Sequence, residues 1–136
     1  MKKFSKKTIN LFHEWARFAD EDLQMAQLAL TEDGPPNQIC FHAQQAAEKA
    51  LKAVLLFKKI EFPLVHDIEE LLELAREGGV AVPPEIDEAG SLTPYAVEAR
   101  YPGHLEEMAS PDVNEAVRLA EAVLQWAAEI LGSRKP

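Results

Sequence analysis

The sequence predicts an all-α protein, an up-and-down helical bundle of four main helices plus a short broken helix. Apolar residues recur at steps of three and four in four stretches, which is the spacing of one helix face. Proline and glycine separate these stretches, and there are no convincing strands. A chain of 136 residues is long enough for one core, so residues 1–136 are expected to form a single domain.

The first helix is predicted over about residues 8–30. A basic lead-in at residues 1–7 precedes it, either as a frayed, solvated end or as an arm that attracts phosphate. Gly34 supplies a stop and Pro35-Pro36 prevent continuation, so the first two helices should pack antiparallel. The apolar face of this helix consists of Phe12, Trp15, Ala16, Ala19, Leu23, Ala26 and Leu30.

The second helix, residues 41–57, is predicted to be the centre of the bundle. Small residues on its apolar stripe let neighbouring helix axes approach closely. Cys40 belongs to that stripe and is interpreted as a small core residue, since a single cysteine cannot form an internal disulfide. The other face carries four polar residues, called here the polar strip: Gln45, Glu48, Lys49 and Lys52. This strip is expected to face a ligand or a partner.

Helix signals continue through the second half of the chain. Asp67 followed by Glu70 resembles a capping box at the start of the third helix, which Gly78-Gly79 end. A shorter helical stretch is predicted from about Glu85 to Arg100, interrupted near residues 90–94.

The last helix is predicted to begin with Ser110 as its N-cap and Pro111 at its first position. Before it, the sequence Tyr101-Pro102-Gly103 is typical of a turn.

The net charge of −9 argues against a protein that coats nucleic acid without regard to sequence. The charge is unevenly spread: residues 1–66 carry a net +1 and residues 67–131 a net −12. Arg100 is therefore an isolated cation in an acidic half, and it must be either paired with an acidic residue or used to bind a ligand.

No apolar run approaches the roughly 20 residues of a membrane span, and no signal core follows the basic N-terminus, so a cytoplasmic protein is expected.

The chemistry-bearing residues cluster between Tyr95 and His104. This stretch contains two phenols, an arginine and a histidine, namely Tyr95, Arg100, Tyr101 and His104. Arginine offers a fork of donors matched to phosphate, and histidine can move a proton near neutral pH. The same residues also fit a structural role, in which Arg100 pairs with neighbouring acids and the tyrosines pack at the core boundary.

No other catalytic or cofactor motif is present. The sequence has no P-loop, dinucleotide fingerprint, nucleophile elbow or paired metal-ligand histidines, so no metal and no cofactor are expected. His42 is interpreted as a boundary histidine and His66 as a turn or capping residue.

Three motifs give the chain a resemblance to the HEPN domain family. They are Ala43-Gln-Gln-Ala-Ala-Glu-Lys-Ala-Leu-Lys52, Val65-His-Asp-Ile68, and Tyr95 followed by Arg100-Tyr-Pro102. The resemblance implies a helical bundle that is usually a homodimer, binds nucleotide or RNA, and is often encoded beside a minimal nucleotidyltransferase as a toxin–antitoxin pair. Tyr95, Arg100 and Tyr101, with the polar strip as a supporting wall, would form the binding site.

Toxin members of this family resemble metal-independent ribonucleases with Arg, four to six residues, then His. Here three residues separate Arg100 from His104. Three hypotheses follow: a non-enzymatic partner of a nucleotidyltransferase, a ribonuclease toxin using Arg100 and His104, or a purely structural helical dimer. Trp15 and Trp126 are predicted to be available for the dimer interface.

Overall fold

In the computed structural model, which describes residues 5–96 and 112–132, all regular structure is helical. The elements are α1 Lys6–Ile9, α2 Phe12–Thr31, α3 Pro36–Phe57, α4 Ile68–Glu77, α5 Pro84–Asp87, a 3-10 helix Glu88–Ala96, and α6 Val113–Leu131. Helices α2, α3, α4 and α6 are the four main helices, which confirms the predicted bundle.

Helix α3 is the centre of the core, as predicted. It packs against α2, α4, α6 and the 3-10 helix, and buried side chains occur around most of its circumference. Its alanines give little side-chain volume, which lets the neighbouring axes pack close to it. The fully buried alanines of α3 are Ala43, Ala46, Ala47 and Ala53.

Contacts near their ends give the directions of α2 and α6 relative to α3. The ring of Phe12 at the start of α2 lies 5.0 Å from that of Phe57 at the end of α3, so these helices are antiparallel. At the start of α6, the Asp112 carboxylate is close enough to Cys40, near the start of α3, to raise the pKa of its thiol. The end of α6 lines a cavity together with Ala50, which lies further along α3. Helix α6 therefore runs parallel to α3.

The first helix starts later than predicted, because a separate turn precedes it. Ser5 caps α1 by accepting a hydrogen bond from the Thr8 N–H at 3.1 Å, and the Leu11 N–H donates to the Thr8 carbonyl. These bonds close a short turn of their own, and α2 begins at Phe12.

The turn between α2 and α3 follows the predicted stop. Asp33 takes the left-handed conformation (φ 60°), and the Gly34 N–H donates to the Ala29 carbonyl at 2.7 Å. A Cβ at position 34 would lie 3.1 Å from that carbonyl oxygen, so glycine suits the close approach.

The short helix changes type between Asp87 and Glu88, and it is continuous at the predicted interruption near residues 90–94. Helix α5 continues directly into the 3-10 helix, which runs through Gly90 and Pro94. Gly90 lies beneath Glu69, since a Cβ there would collide with the Glu69 Cγ. The predicted continuation to Arg100 lies outside the described residues.

The N-cap of the last helix is Asp112, so the prediction of Ser110 was wrong. The Asp112 carboxylate accepts from the Glu115 N–H at 3.0 Å, and the first helical residue is Val113. Aspartate caps as well as serine does, and its charge also suits the positive end of the helix dipole. Ser110 and Pro111 themselves lie outside the described residues.

The apolar side chains left at the surface differ from those predicted. Trp126 is only 8% exposed and its Nε1–H donates to the Ala81 carbonyl, so it belongs to the monomer core. Trp15 is half-buried. Large exposed apolar residues instead recur along α2, forming a surface called here the α2 stripe: Leu11, Phe18, Met25 and Leu28.

Candidate functional site

Glu48 is the centre of a buried polar network. Its side chain is 4% exposed, and its Oε2 accepts from the Lys52 Nζ at 2.9 Å. Its Oε1 accepts from the Gln44 Nε2 at 2.9 Å, and the His66 Nδ1 lies 3.1 and 3.0 Å from the two oxygens. Within the described part of the chain, no buried side-chain nitrogen or oxygen lacks a partner. The network therefore meets the requirement that a buried charge be paired and hydrogen-bonded.

Lys52 is held between this carboxylate and two aromatic rings. Its Nζ lies 5.6 Å from the ring centroid of Trp15 on α2 and 5.8 Å from that of Phe62 in the α3–α4 connection. Cation–π attraction adds to the ion pair at such distances, more so when the cation is desolvated. Lys52 thus brings α2 and the α3–α4 connection together at Glu48 of α3.

His66 is the one member of the Glu48 network with a largely exposed side chain, at 64%. Its carbonyl accepts from the Gln44 Nε2 at 3.2 Å, which fixes the backbone just before α4. Asp67, the next residue, caps α4 by accepting from the Glu70 N–H, as predicted. His66 therefore lies directly before the N-cap of α4 and does not cap the helix itself, and Glu48 orients its ring.

A second cluster joins α2 to α3 through Asp22. The Asp22 Oδ2 accepts from the Lys49 Nζ at 2.6 Å, and its Oδ1 lies 2.9 Å from the His42 Nδ1. All three side chains are at most 26% exposed. His42 is thus a boundary residue with a carboxylate partner, in agreement with its interpretation from the sequence.

The polar strip divides between these two clusters. Glu48 and Lys52 point into the bundle, and Lys49 pairs with Asp22 on α2. Gln45 is half-buried and donates to the Gln44 Oε1 at 2.7 Å. The strip is therefore mainly occupied by contacts within the monomer, and its contact with a ligand stays a prediction.

Tyr95 lies against the thiol of Cys40. Cys40 is fully buried, and burial raises the pKa of its thiol to about 11 despite a hydrogen bond with Tyr95; the nearby Asp112 carboxylate raises it further. Burial likewise raises the pKa of the Tyr95 phenol, and Cys40 and Asp112 add to the effect. Both groups stay neutral at physiological pH, so Cys40 is a core residue, as predicted.

The remaining predicted site residues, Arg100, Tyr101 and His104, lie outside the described residues. The chain leaves the described part after Ala96 and re-enters it at Asp112. Tyr95 and Asp112 both lie close to the thiol of Cys40, near the start of α3.

Sequence reasoning missed one regularity of α3. Cys40, Gln44, Glu48 and Lys52 are spaced by four, which places them in one row along the helix, and all four are buried. The row contacts Tyr95 at its first residue and His66 at its second and third. The i,i+4 spacing of Gln44, Glu48 and Lys52 was a readable signal, but nothing local in the sequence identified His66 as their partner.

Two kinds of feature are absent from residues 5–96 and 112–132. Within those ranges no group of three His, Cys, Asp or Glu side chains is arranged to hold a metal ion. No helix there is long and apolar enough to cross a membrane.

The structure is an all-α helical bundle with a small-residue central helix and a buried Gln-Glu-Lys row that contacts an exposed histidine. The family profile described as HEPN domain matches residues 12–131. The chain belongs to the HEPN family.

Individual relatives agree with this assignment. The chain is 30% identical to "Putative toxin MJ1304" of Methanocaldococcus jannaschii, with 79% of each sequence covered. Its fold is similar to the crystal structure of TT1696 from Thermus thermophilus, with a TM-score of 0.78 and 32% identity over 89% of this chain and 98% of that one. It is also similar to ST0689, an archaeal HEPN homologue, with a TM-score of 0.70 and 28% identity over 88% and 97% of the two chains.

Proposed function

We propose that this protein is the HEPN component of a toxin–antitoxin-type pair, a cytoplasmic protein that binds nucleotide or RNA and docks a minimal nucleotidyltransferase. Family membership and a relative named as a toxin support the pair. The observation that carries the docking proposal is an acidic surface formed by α4, α5 and the start of the 3-10 helix.

That surface, called here the acidic surface, is continuous in sequence and exposed. Between residues 68 and 88 the chain has seven acidic residues and one basic residue. The single cation, Arg76, is already paired with Glu73 and Asp87. All seven carboxylate residues are exposed: Glu69, Glu70, Glu73, Glu77, Glu85, Asp87 and Glu88. Such a surface attracts a basic protein partner and repels a polyanion, so a nucleic acid would bind elsewhere.

The nucleotide or RNA contact is assigned by the family resemblance to residues within positions 97–111. These positions contain Arg100, Tyr101 and His104, and the described residues on either side of them, Tyr95 and Asp112, both lie close to Cys40.

Charge reversal tests the docking proposal. A nucleotidyltransferase found in an adjacent reading frame would be mixed with the purified chain at micromolar concentration, and the complex would be measured by size-exclusion chromatography and calorimetry. Glu77→Lys with Glu85→Lys should weaken binding at least tenfold, mainly through the association rate. The matched control, Glu32→Lys with Glu129→Lys, changes the same charge on other exposed positions and should bind normally. Absence of a complex with the unmodified chain would refute the partnership.

A second candidate is a metal-independent ribonuclease toxin, favoured by the relative named as a toxin. Arg100 would bind the scissile phosphate and His104 would exchange protons with the attacking 2′-hydroxyl and the leaving oxygen. Expression of the unmodified chain should arrest a bacterial host, and His104→Ala should relieve the arrest. Equal growth of the two strains, and equal RNA integrity with the two purified proteins, would exclude cleavage.

The third hypothesis, a purely structural dimer, is separated from both by ligand binding. Thermal-shift measurements with a nucleotide panel should give a shift for the unmodified chain that Arg100→Ala loses. If Arg100→Ala lowers the melting temperature and no nucleotide shifts either protein, Arg100 is only a structural ion-pair partner.

A further inference from the structure

A cavity of about 440 Å³ lies where α2, α3 and α6 meet. Its volume is within the range of small-molecule sites, roughly 300–1,000 Å³. Protein interiors are otherwise close-packed, and here short side chains from three helices leave the space between them unfilled. The small residues of the lining are Ala16, Ala19, Ala50, Ala127, Ala128 and Gly132.

The cavity has an apolar wall and is open to solvent. Phe12, Leu124 and Leu131 supply its larger apolar side chains, and all three are half-buried. Ala128 and Gly132 are exposed, so a small molecule can enter at the end of α6 while the bundle stays folded. A hydrocarbon group that enters would remove apolar surface from water, which favours its binding.

Asp20 places a carboxylate in the same lining. Partial burial beside the cavity raises the pKa of this carboxyl, and within the described residues no hydrogen bond or ion pair offsets the cost. Arg17, the one lysine or arginine of α2, is paired with Glu14 and Glu21 instead. The described part of the chain therefore gives the Asp20 carboxylate no counter-charge.

His13 is the other ionisable residue of the lining, and it extends the aromatic wall. Its ring packs on that of Phe12 with the centroids 4.1 Å apart. His13 lies two helical turns before Asp20, about 10 Å away along the helix axis. The aromatic end and the acidic end of the cavity are therefore one short molecule apart.

The charge of the lining selects a cation over an anion. None of the described residues that line the cavity is a lysine or arginine, so a phosphate or carboxylate would meet Asp20 without a compensating cation. An ammonium group would neutralise that carboxylate, and an attached ring would fill the space beside Phe12. Such a ligand removes two unfavourable features at once, the unfilled volume and the uncompensated charge.

We propose that this cavity binds a small arylalkylamine, with its ammonium group on the Asp20 carboxylate and its ring against Phe12 and Leu131. The site does not depend on the proposed function. Asp112 precedes the first turn of α6, and Ala128 in the lining lies about 24 Å further along that helix at 1.5 Å per residue.

Calorimetry with tryptamine tests the proposal, because its alcohol analogue tryptophol has the same ring and chain without the charge. The unmodified chain should bind tryptamine at least tenfold more tightly than tryptophol, and indole-3-propionate should bind least well. Asp20→Asn should lower the affinity for tryptamine about tenfold and leave that for tryptophol unchanged.

Two kinds of variant serve as controls. Glu21→Gln removes the same charge one residue along α2, from a carboxylate that is paired with Arg17 and is not part of the lining, and it should bind tryptamine normally. Ala16→Leu and Ala128→Leu each fill part of the cavity from a different helix, and both should abolish binding of tryptamine and of tryptophol. Thermal melting checks that each variant is folded.

Four results would overturn the proposal. Absence of saturable tryptamine binding at millimolar concentrations removes the site. Equal tryptamine affinities of the unmodified chain and Asp20→Asn refute the role of that carboxylate. Equal losses in Asp20→Asn and Glu21→Gln would mean that only net charge attracts the amine. Normal binding by both folded cavity-filling variants would place the amine elsewhere.

Discussion

The Nζ of Lys52 lies 2.9 Å from the Oε2 of Glu48, one helical turn earlier on α3, and both side chains are more than 90% buried. An i,i+4 pair on an exposed helix contributes only about 0.3–0.5 kcal/mol, because water competes for both charges. Here both charges are buried in a low-dielectric interior, so the loss of either one leaves the other without compensation. The free energy of unfolding should therefore fall when either charge is removed.

Replacing Glu48 alone should strongly destabilise the protein. Glu48→Gln leaves the Lys52 ammonium buried without its counter-charge, and the free energy of unfolding should fall by about 3–5 kcal/mol. Urea denaturation followed by circular dichroism measures the change. Glu73→Gln is the control, since that carboxylate is exposed in its contact with Arg76 and should cost at most about 1 kcal/mol. Equal effects of the two substitutions would mean that burial does not set the energy of the Glu48–Lys52 pair.

Removing both charges should be far less harmful than removing one. Glu48→Met combined with Lys52→Met replaces the pair with apolar groups of similar length, and such replacements are often close to neutral. The double variant should be at least about 1.5 kcal/mol more stable than Glu48→Gln in the same urea titration, with part of the remaining cost arising from Gln44 and His66. A double variant less stable than Glu48→Gln would contradict this account.

Cys40 should make stability fall with rising pH. Its folded-state pKa is raised from an ordinary 9.0 to about 11, so the folded chain keeps the thiol proton in a range where the unfolded chain releases it. The unfolded state then binds fewer protons, and the free energy of unfolding decreases between pH 9.0 and about 11. Cys40→Ala should reduce this alkaline decline in a pH series of urea titrations. An identical decline in both proteins would assign it to other groups.

The same thiol should be unreactive in the native protein. Iodoacetamide reacts with the thiolate form of cysteine. Because the Cys40 pKa rises from 9.0 to about 11, labelling at neutral pH should be on the order of a hundredfold slower than in the urea-unfolded chain. Burial of the thiol should slow labelling further. Asp112→Asn keeps an N-capping side chain but removes a charge that raises the Cys40 pKa, so it should speed labelling. Rapid native labelling at neutral pH would show that the buried position of Cys40 is wrong.

We expect a homodimer that forms through the α2 stripe. This stripe is the largest group of exposed apolar side chains in the described residues. A two-fold axis can pair it with the same stripe of a second copy. Phe18→Glu combined with Met25→Glu should convert the dimer to a monomer of 15.1 kDa in sedimentation velocity. Leu64→Glu is the control: Leu64 is 94% exposed but lies away from the stripe, so the dimer should persist. A monomeric unmodified chain at high concentration would refute dimerisation.

Local pattern was enough to predict much of this fold. The 3.6-residue periodicity placed the four main helices, and the small residues around Ala43 and Ala47 identified α3 as their centre. Capping by Asp67 and the stop at Gly34 were also readable, since each depends on backbone groups within a few residues. The N-cap of α6 was misplaced because Ser110 and Asp112 are both good capping residues and sequence alone does not choose between them.

The candidate site was less predictable, because its contacts join residues far apart in the chain. Periodicity identified Glu48 and Lys52 as polar positions on α3, and their exposure was inferred from polarity alone. Only tertiary packing brings His66 and Phe62 onto them, buries the pair and leaves one imidazole at the surface. Sequence by itself determined the helices and the family pattern, which arise from local spacing. Tertiary structure decided which charges are buried, because burial depends on what the rest of the chain places over them.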